Sequence, residues 1–187
     1  MPPPTLSRRH LLIQAAAVPA MLGARGLATA EAAAPPEDVN GLGHAAESIH
    51  QEVTFDASRR RLYQALTNAK QFDAVTRLSD AVALLTAPTA RPTSISAVVG
   101  GAFTLFGGYI TGRNLDMRPG ERLVQAWRAE SWKPGEFSIV RFVLQEEGSG
   151  TRLIFDHGGF PAGQGVHLAV GWHVHYWEPL VQFLAQP

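Results

Sequence analysis

The stretch RLVQAWRAESWKPGEFSIVRFVLQEEGSGTRLIFDH, residues 122–157, alternates apolar and polar side chains in three blocks. Leu123, Gln125 and Trp127 share one face of the first block, Arg122 to Ser131. Val140, Phe142 and Leu144 share a face of the second, Phe137 to Gln145, with Arg141 on the other side. Leu153, Phe155 and His157 align in the third, Thr151 to His157. Successive strand side chains point to opposite faces, so this period marks strands with one face on a core. Gly148-Ser149-Gly150 is a turn, and consecutive strands joined by tight turns predict an antiparallel meander.

Upstream, Tyr109 to Met117 reads as a further strand, joined to the first block by the turn Arg118-Pro119-Gly120-Glu121. Gly100 to Phe106 is another, with Phe103 and Leu105 on one face. Pro88 and Pro92 break regular structure over residues 79–95, leaving a loop with a short helix or strand near Val82 to Leu85. Ser48 to Phe55 reads as a first strand, its apolar alternation of Ile49, Val53 and Phe55 interrupted by Gln51. Asp56 or Ser58 caps a helix carrying Leu62, Tyr63 and Leu66, and Phe72 and Val75 mark a second short helix. Arg59, Arg60 and Arg61 read as solvated.

Downstream, Val166, Ala169, Trp172, Tyr176, Leu180 and Phe183 recur at three- and four-residue steps, predicting an amphipathic helix from Val166 to Ala185. Pro179 lies inside it, removes one backbone hydrogen bond and is expected to bend it. The fold class is therefore α+β: a curved antiparallel sheet wrapped around a long C-terminal helix. The glycine pairs Gly100-Gly101 and Gly107-Gly108 match no phosphate loop and mark bends in that sheet.

The first 46 residues differ in character. Ser7-Arg8-Arg9-His10 precedes an apolar run, Leu11 to Leu22, about half the length a membrane-spanning helix requires. A basic start, an apolar middle and a small-residue end at Ala28-Thr29-Ala30 or Ala32-Ala33-Ala34 read as an export signal over residues 1–34. Paired Arg8 and Arg9 resemble the twin-arginine type, with the twin-arginine translocase as partner during export. A Sec-type signal or a retained helix are the alternatives. Residues 35–46, rich in Ala, Pro and Gly, read as a linker to a domain over 47–187. An exported, periplasmic or extracellular protein with no membrane span in its mature part is expected.

Composition excludes several classes. There is no cysteine, so no disulfide, thiolate metal site or cysteine nucleophile. Sixteen basic and sixteen acidic residues give a net charge of zero and no electrostatic reason to bind nucleic acid. No metal site is expected: His173 and His175, two apart on a helix, project about 200° from each other. His173 lies near the apolar face and is expected at the pocket. No cofactor motif is present, and Ser94, Ser96 and Ser138 stand in no nucleophile-elbow context.

Strand, two short helices, meander and long final helix together resemble the helix-grip fold of the START-like (SRPBCC) superfamily. Gly100-Gly101-Ala102-Phe103, Pro119-Gly120-Glu121-Arg122-Leu123-Val124 running to Trp127, Thr151-Arg152-Leu153 leading to His157-Gly158-Gly159-Phe160, and Gly171-Trp172 are similar to homologues of the activator of the heat-shock-protein-90 ATPase. The resemblance implies a cavity between sheet and helix able to hold an apolar ligand.

Phe103, Leu123, Gln125, Trp127, Phe142, Phe155 and His157 on the sheet, with Trp172 and Tyr176 on the helix, are the expected lining. His157 either orients or protonates a ligand, as the one catalytic candidate, or is a core histidine with a local partner. Gln125 either reads a ligand's polar group or belongs to a packed network. Trp172 and Tyr176, four apart, suit either core packing or stacking on a flat ligand. Three functions follow: binding of a small hydrophobic or aromatic molecule, a cyclase- or hydrolase-like enzyme acting on one, or a protein-interaction module related to chaperone ATPase activators.

Overall fold

The computed structural model describes residues 47–186. The export signal expected over 1–34 and the linker over 35–46 lie outside the described residues.

Strand β1, Ser48–Phe55, leads through Ser58 into helix α1, Arg59–Thr67. The Ser58 hydroxyl accepts from the Arg61 N–H at 3.3 Å, satisfying one of the free donors of the first turn. Asn68 ends α1 and caps α2, Ala69–Thr76, by accepting from Gln71 N–H at 3.1 Å. The apolar sides of α1 and α2 bury Leu62, Leu66, Phe72 and Val75. A single short turn of helix, α3, Val82–Thr86, and a two-residue strand, β2, Ser94–Ile95, occupy the proline-broken region.

The meander follows: β3, Ala102–Leu105; β4, Ile110–Arg118; β5, Arg122–Ala129; β6, Ser138–Glu147; β7, Gly150–Gly158. Every neighbouring pair is antiparallel, and β1 closes the free side of β7, giving the order β1-β7-β6-β5-β4-β3-β2 in one seven-stranded sheet. A bulge between Asn114 and Asp116 shifts the β4–β5 register and turns Leu115 outward. Gly112 is where β4 passes under the Phe103 ring; a Cβ there would overlap both that ring and the Ala126 carbonyl oxygen.

The C-terminal helix is three segments: α4, Gly165–Trp172; a π turn, His173–Trp177; and α5, Glu178–Leu184. Pro179 falls in the first turn of α5, where its missing N–H costs least. The interruption expected from Pro179 therefore takes the form of a wide turn just ahead of it, closed by Glu178 N–H donating to His173 C=O.

That turn also corrects the buried stripe. Leu168, Trp172, Tyr176, Leu180 and Leu184 are buried, at strict four-residue steps. Four residues overshoot one α-helical turn by about 40°, so such a stripe drifts around a regular helix. The extra residue of the π turn offsets that drift and holds all five on the sheet side. Val166, expected on this face, is 82% exposed, because it sits two residues from Leu168 on the opposite side.

Gln51, the break in the β1 alternation, fastens the helix to the sheet. Its Nε2 donates to Ala169 C=O at 3.0 Å and its Oε1 accepts from Trp177 Nε1–H at 2.6 Å. On the sheet's other face, Arg141 and His50 both pair with Asp156, while Glu52 pairs with Arg152.

Candidate functional site

Strand parity delivers the inner wall. Phe103, Leu123, Gln125, Trp127, Phe142, Phe155 and His157 are all buried, as are Trp172 and Tyr176 opposite them. Apart from Phe103, the rings form one continuous aromatic cluster. Trp172 lies 4.4 Å from Phe155 and 4.1 Å from Tyr176, centroid to centroid, and Trp127 lies 5.7 Å from Trp172.

These nine residues divide into two groups. A cavity of about 380 Å³ lies at the β3–β5 end of the sheet, and Trp127, Trp172 and Tyr176 line it. Phe103, Leu123, Gln125, Phe142, Phe155 and His157 fill the core outside that lining. The remaining wall comes from residues that the alternation pattern did not single out. Phe106, Ile110 and Trp132 lie on the sheet side, Leu168, Gly171 and His175 on the helix side, and Ala81 and Leu84 in and before α3. Gly171 helps to open the space: a Cβ added there would meet only His175 Cδ2, at 3.9 Å.

Phe106 reaches the cavity at a conformational cost. Its φ is +51°, and Gly107 and Gly108 follow at +66° and +100°. A left-handed non-glycine residue costs about 1–3 kcal/mol and persists only where its surroundings hold it. Here the ring is held edge-on by Phe72 at 5.5 Å and Tyr176 at 5.2 Å. The Phe106-Gly107-Gly108 triplet was the available sequence signal: an apolar ring followed by the flexibility needed to turn it inward.

His157 is 1% exposed and engaged at both nitrogens. Trp172 Nε1–H donates to Nδ1 at 2.9 Å. An indole nitrogen can only donate, so the imidazole proton sits on Nε2 and is given to Ser138 Oγ at 2.7 Å. Ser138 in turn donates to Trp127 C=O at 3.1 Å. Burial pushes the His157 pKa down to about 4, keeping the ring neutral at physiological pH. With both nitrogens committed and no place in the cavity lining, His157 is built to orient Trp172 rather than to exchange protons with a ligand.

Gln125 resolves in the same way. Its Nε2 donates to Asn114 Oδ1 at 3.0 Å, and Asn114 Nδ2 donates to Ser96 C=O at 2.8 Å. The buried amide is part of a network that ties β5 and β4 to the chain ahead of β3. His173, expected at the pocket, instead points to solvent beside Glu178 at 3.2 Å, and His175 takes the place on the wall. The two histidines are two residues apart and so project to opposite sides of the helix. Among the described residues no three His, Asp or Glu side chains gather where they could hold a metal ion.

Fold and cavity together define a helix-grip protein: a sheet closed on a C-terminal helix, with an apolar chamber at one end of the contact. The chain belongs to the family described as "Activator of Hsp90 ATPase homolog 1-like protein", whose profile matches residues 56–185. Among curated relatives, the human "Activator of 90 kDa heat shock protein ATPase homolog 1" is 27% identical over 134 residues, covering 72% of this chain and 36% of its own length. A Dictyostelium discoideum homologue of that activator is 34% identical over 74 residues, 39% of this chain and 19% of its own. The chain thus spans about a third or less of these relatives. Among solved structures, an HSP90 activator from Plasmodium falciparum superposes with a TM-score of 0.64 at 21% identity, covering 75% of this chain and 98% of that one. CalU16 from Micromonospora echinospora superposes at 0.57 with 24% identity, covering 74% and 76%. At these identities the structures speak for the fold alone.

Proposed function

We propose that this protein binds a small hydrophobic or aromatic molecule in the chamber between sheet and C-terminal helix, and that it does so after export from the cytoplasm. The observation that carries the reading is the chamber. About 380 Å³ lies within the usual range of small-molecule sites, about 300–1,000 Å³, and the lining is mainly apolar and aromatic. The paired Arg8 and Arg9 ahead of a short apolar run support twin-arginine export. Binding is favoured over catalysis because the one candidate acid/base, His157, is neutral, buried and spent on Trp172 and Ser138.

The test is native mass spectrometry of the full chain expressed in an export-competent host, with organic extraction of whatever travels with it. The reading expects a bound apolar molecule in the wild-type protein and its loss in Gly171→Leu, whose side chain would occupy the chamber. A chain that carries nothing, and takes up nothing from extracts of its host, contradicts it. Fractionation for the protein with residues 1–34 removed tests export; retention of the full chain in the cytoplasm contradicts that part.

A further inference from the structure

The chamber wall holds polar atoms that the fold leaves unused. Trp127 Nε1, Tyr176 Oη and His175 Nδ1 each lack a hydrogen-bond partner among the described residues, and all three residues line the chamber. Trp127 and Tyr176 are 4% and 5% exposed, so water does not satisfy them either. Buried polar groups are nearly always paired, and three orphans around one cavity call for an explanation. The Trp127 N–H and the Tyr176 hydroxyl are neighbours. Burial pushes the Tyr176 hydroxyl's pKa up and the Trp127 N–H beside it acts in the opposite direction, yet the pair falls short of normal hydrogen-bond geometry. An indole N–H can only donate, so any weak contact runs from Trp127 to Tyr176. The Tyr176 proton is then left over, with no acceptor.

Resting on the binding function above, we infer that the ligand is a neutral, flat, apolar molecule carrying a carbonyl oxygen, which accepts from Tyr176 O–H with Trp127 N–H behind it. A carboxylate fits poorly: histidines aside, Asp80 is the charged residue on the wall and would repel it. Trp127 Nε1 and Tyr176 Oη each expose less than 1 Å², so a ligand meets them only when part of the wall yields. The wall able to yield is α3, which buries none of its own residues and has no side-chain cap.

The experiment pairs two probes of one shape, 9-fluorenone and fluorene, which differ in the carbonyl. Affinities for the full chain are read by quenching of tryptophan fluorescence, and the fluorenone carbonyl stretch by difference infrared spectroscopy. Fluorenone is expected to bind about tenfold more tightly than fluorene, the worth of one net hydrogen bond, with its stretch moved to lower frequency. Tyr176→Phe should remove that advantage, so that the variant binds fluorenone and fluorene equally. It removes an unpaired hydroxyl, so it should fold at least as well as the parent. Trp127→Phe provides a second reading, a smaller loss of the same sign, and the infrared shift needs no variant. Equal affinity for both probes, or a fluorenone preference that survives Tyr176→Phe, overturns the carbonyl inference while leaving the chamber's function standing. Failure of both probes to bind overturns both.

Discussion

Trp172 donates its indole N–H to Nδ1 of His157 across 2.9 Å, linking the centre of the C-terminal helix to the last strand. That contact fixes the imidazole tautomer, and through Ser138 it reaches the backbone of β5 at Trp127. One wall of the chamber, Trp172, is therefore oriented by a residue outside the chamber.

Replacing His157 should be felt as stability. His157→Leu leaves the buried Trp172 N–H without an acceptor, a cost of about 1–3 kcal/mol, while the Ser138 hydroxyl keeps its bond to Trp127 C=O. The urea midpoint should fall by the equivalent of about 1–3 kcal/mol at unchanged m-value. An unchanged midpoint would show that the chain of three hydrogen bonds contributes nothing.

The same histidine predicts acid sensitivity. Its pKa is near 4 when folded, against about 6.5 when unfolded. Between these values the unfolded chain binds more protons, so stability rises with pH through this window and is lost as pH falls from about 6.5 toward 4. The contribution from His157 is at most about 3 kcal/mol. Denaturation curves from pH 7 to pH 4 should show this slope in the parent and a flatter one in His157→Leu; parallel slopes would exclude His157 as the source.

The Asn114–Gln125 pair should behave as a unit. Gln125→Leu alone strands the buried Asn114 amide oxygen and should destabilise by about 1–3 kcal/mol. Adding Asn114→Leu should cost less than the sum of the two single changes. A double-mutant cycle checks this, and strict additivity would mean that the contact is not coupled.

Two glycines should respond with opposite signs. Gly171→Ala meets only an ordinary contact at 3.9 Å and gains helix propensity, so it should stabilise by up to about 1 kcal/mol. Gly112→Ala forces its methyl group into the Phe103 ring and the Ala126 carbonyl, and should destabilise by about 2 kcal/mol or more. Thermal melts distinguish the two directly.

Most of the architecture was legible because period-two and helical patterns state which side chains face a core. Leu123, Gln125 and Trp127 announce β5, and Leu153, Phe155 and His157 announce β7, without reference to anything distant. The chamber was less legible, because buried and cavity-lining are different properties. Alternation places Phe142 and Trp127 equally inward, and only the three-dimensional course of α3, the Phe106–Gly108 turn and the π turn decides which of them meets empty space. The exchanges of His173 for His175 and of Val166 for Leu168 are each a slip of two residues, and residues two apart on a helix project about 200° from one another, so a stripe begun at Val166 rather than Leu168 faces the wrong way. Asn114 was overlooked because its importance depends on a bulge that brings it opposite Gln125.

The most direct test of the chamber is calorimetric titration of fluorene into the full chain and into Gly171→Leu at several temperatures. The parent should bind saturably at one site with a negative heat-capacity change, and a Gly171→Leu protein that is still folded should not bind. Equal binding by both proteins would place the site elsewhere, and no binding by the parent would contradict a ligand chamber altogether.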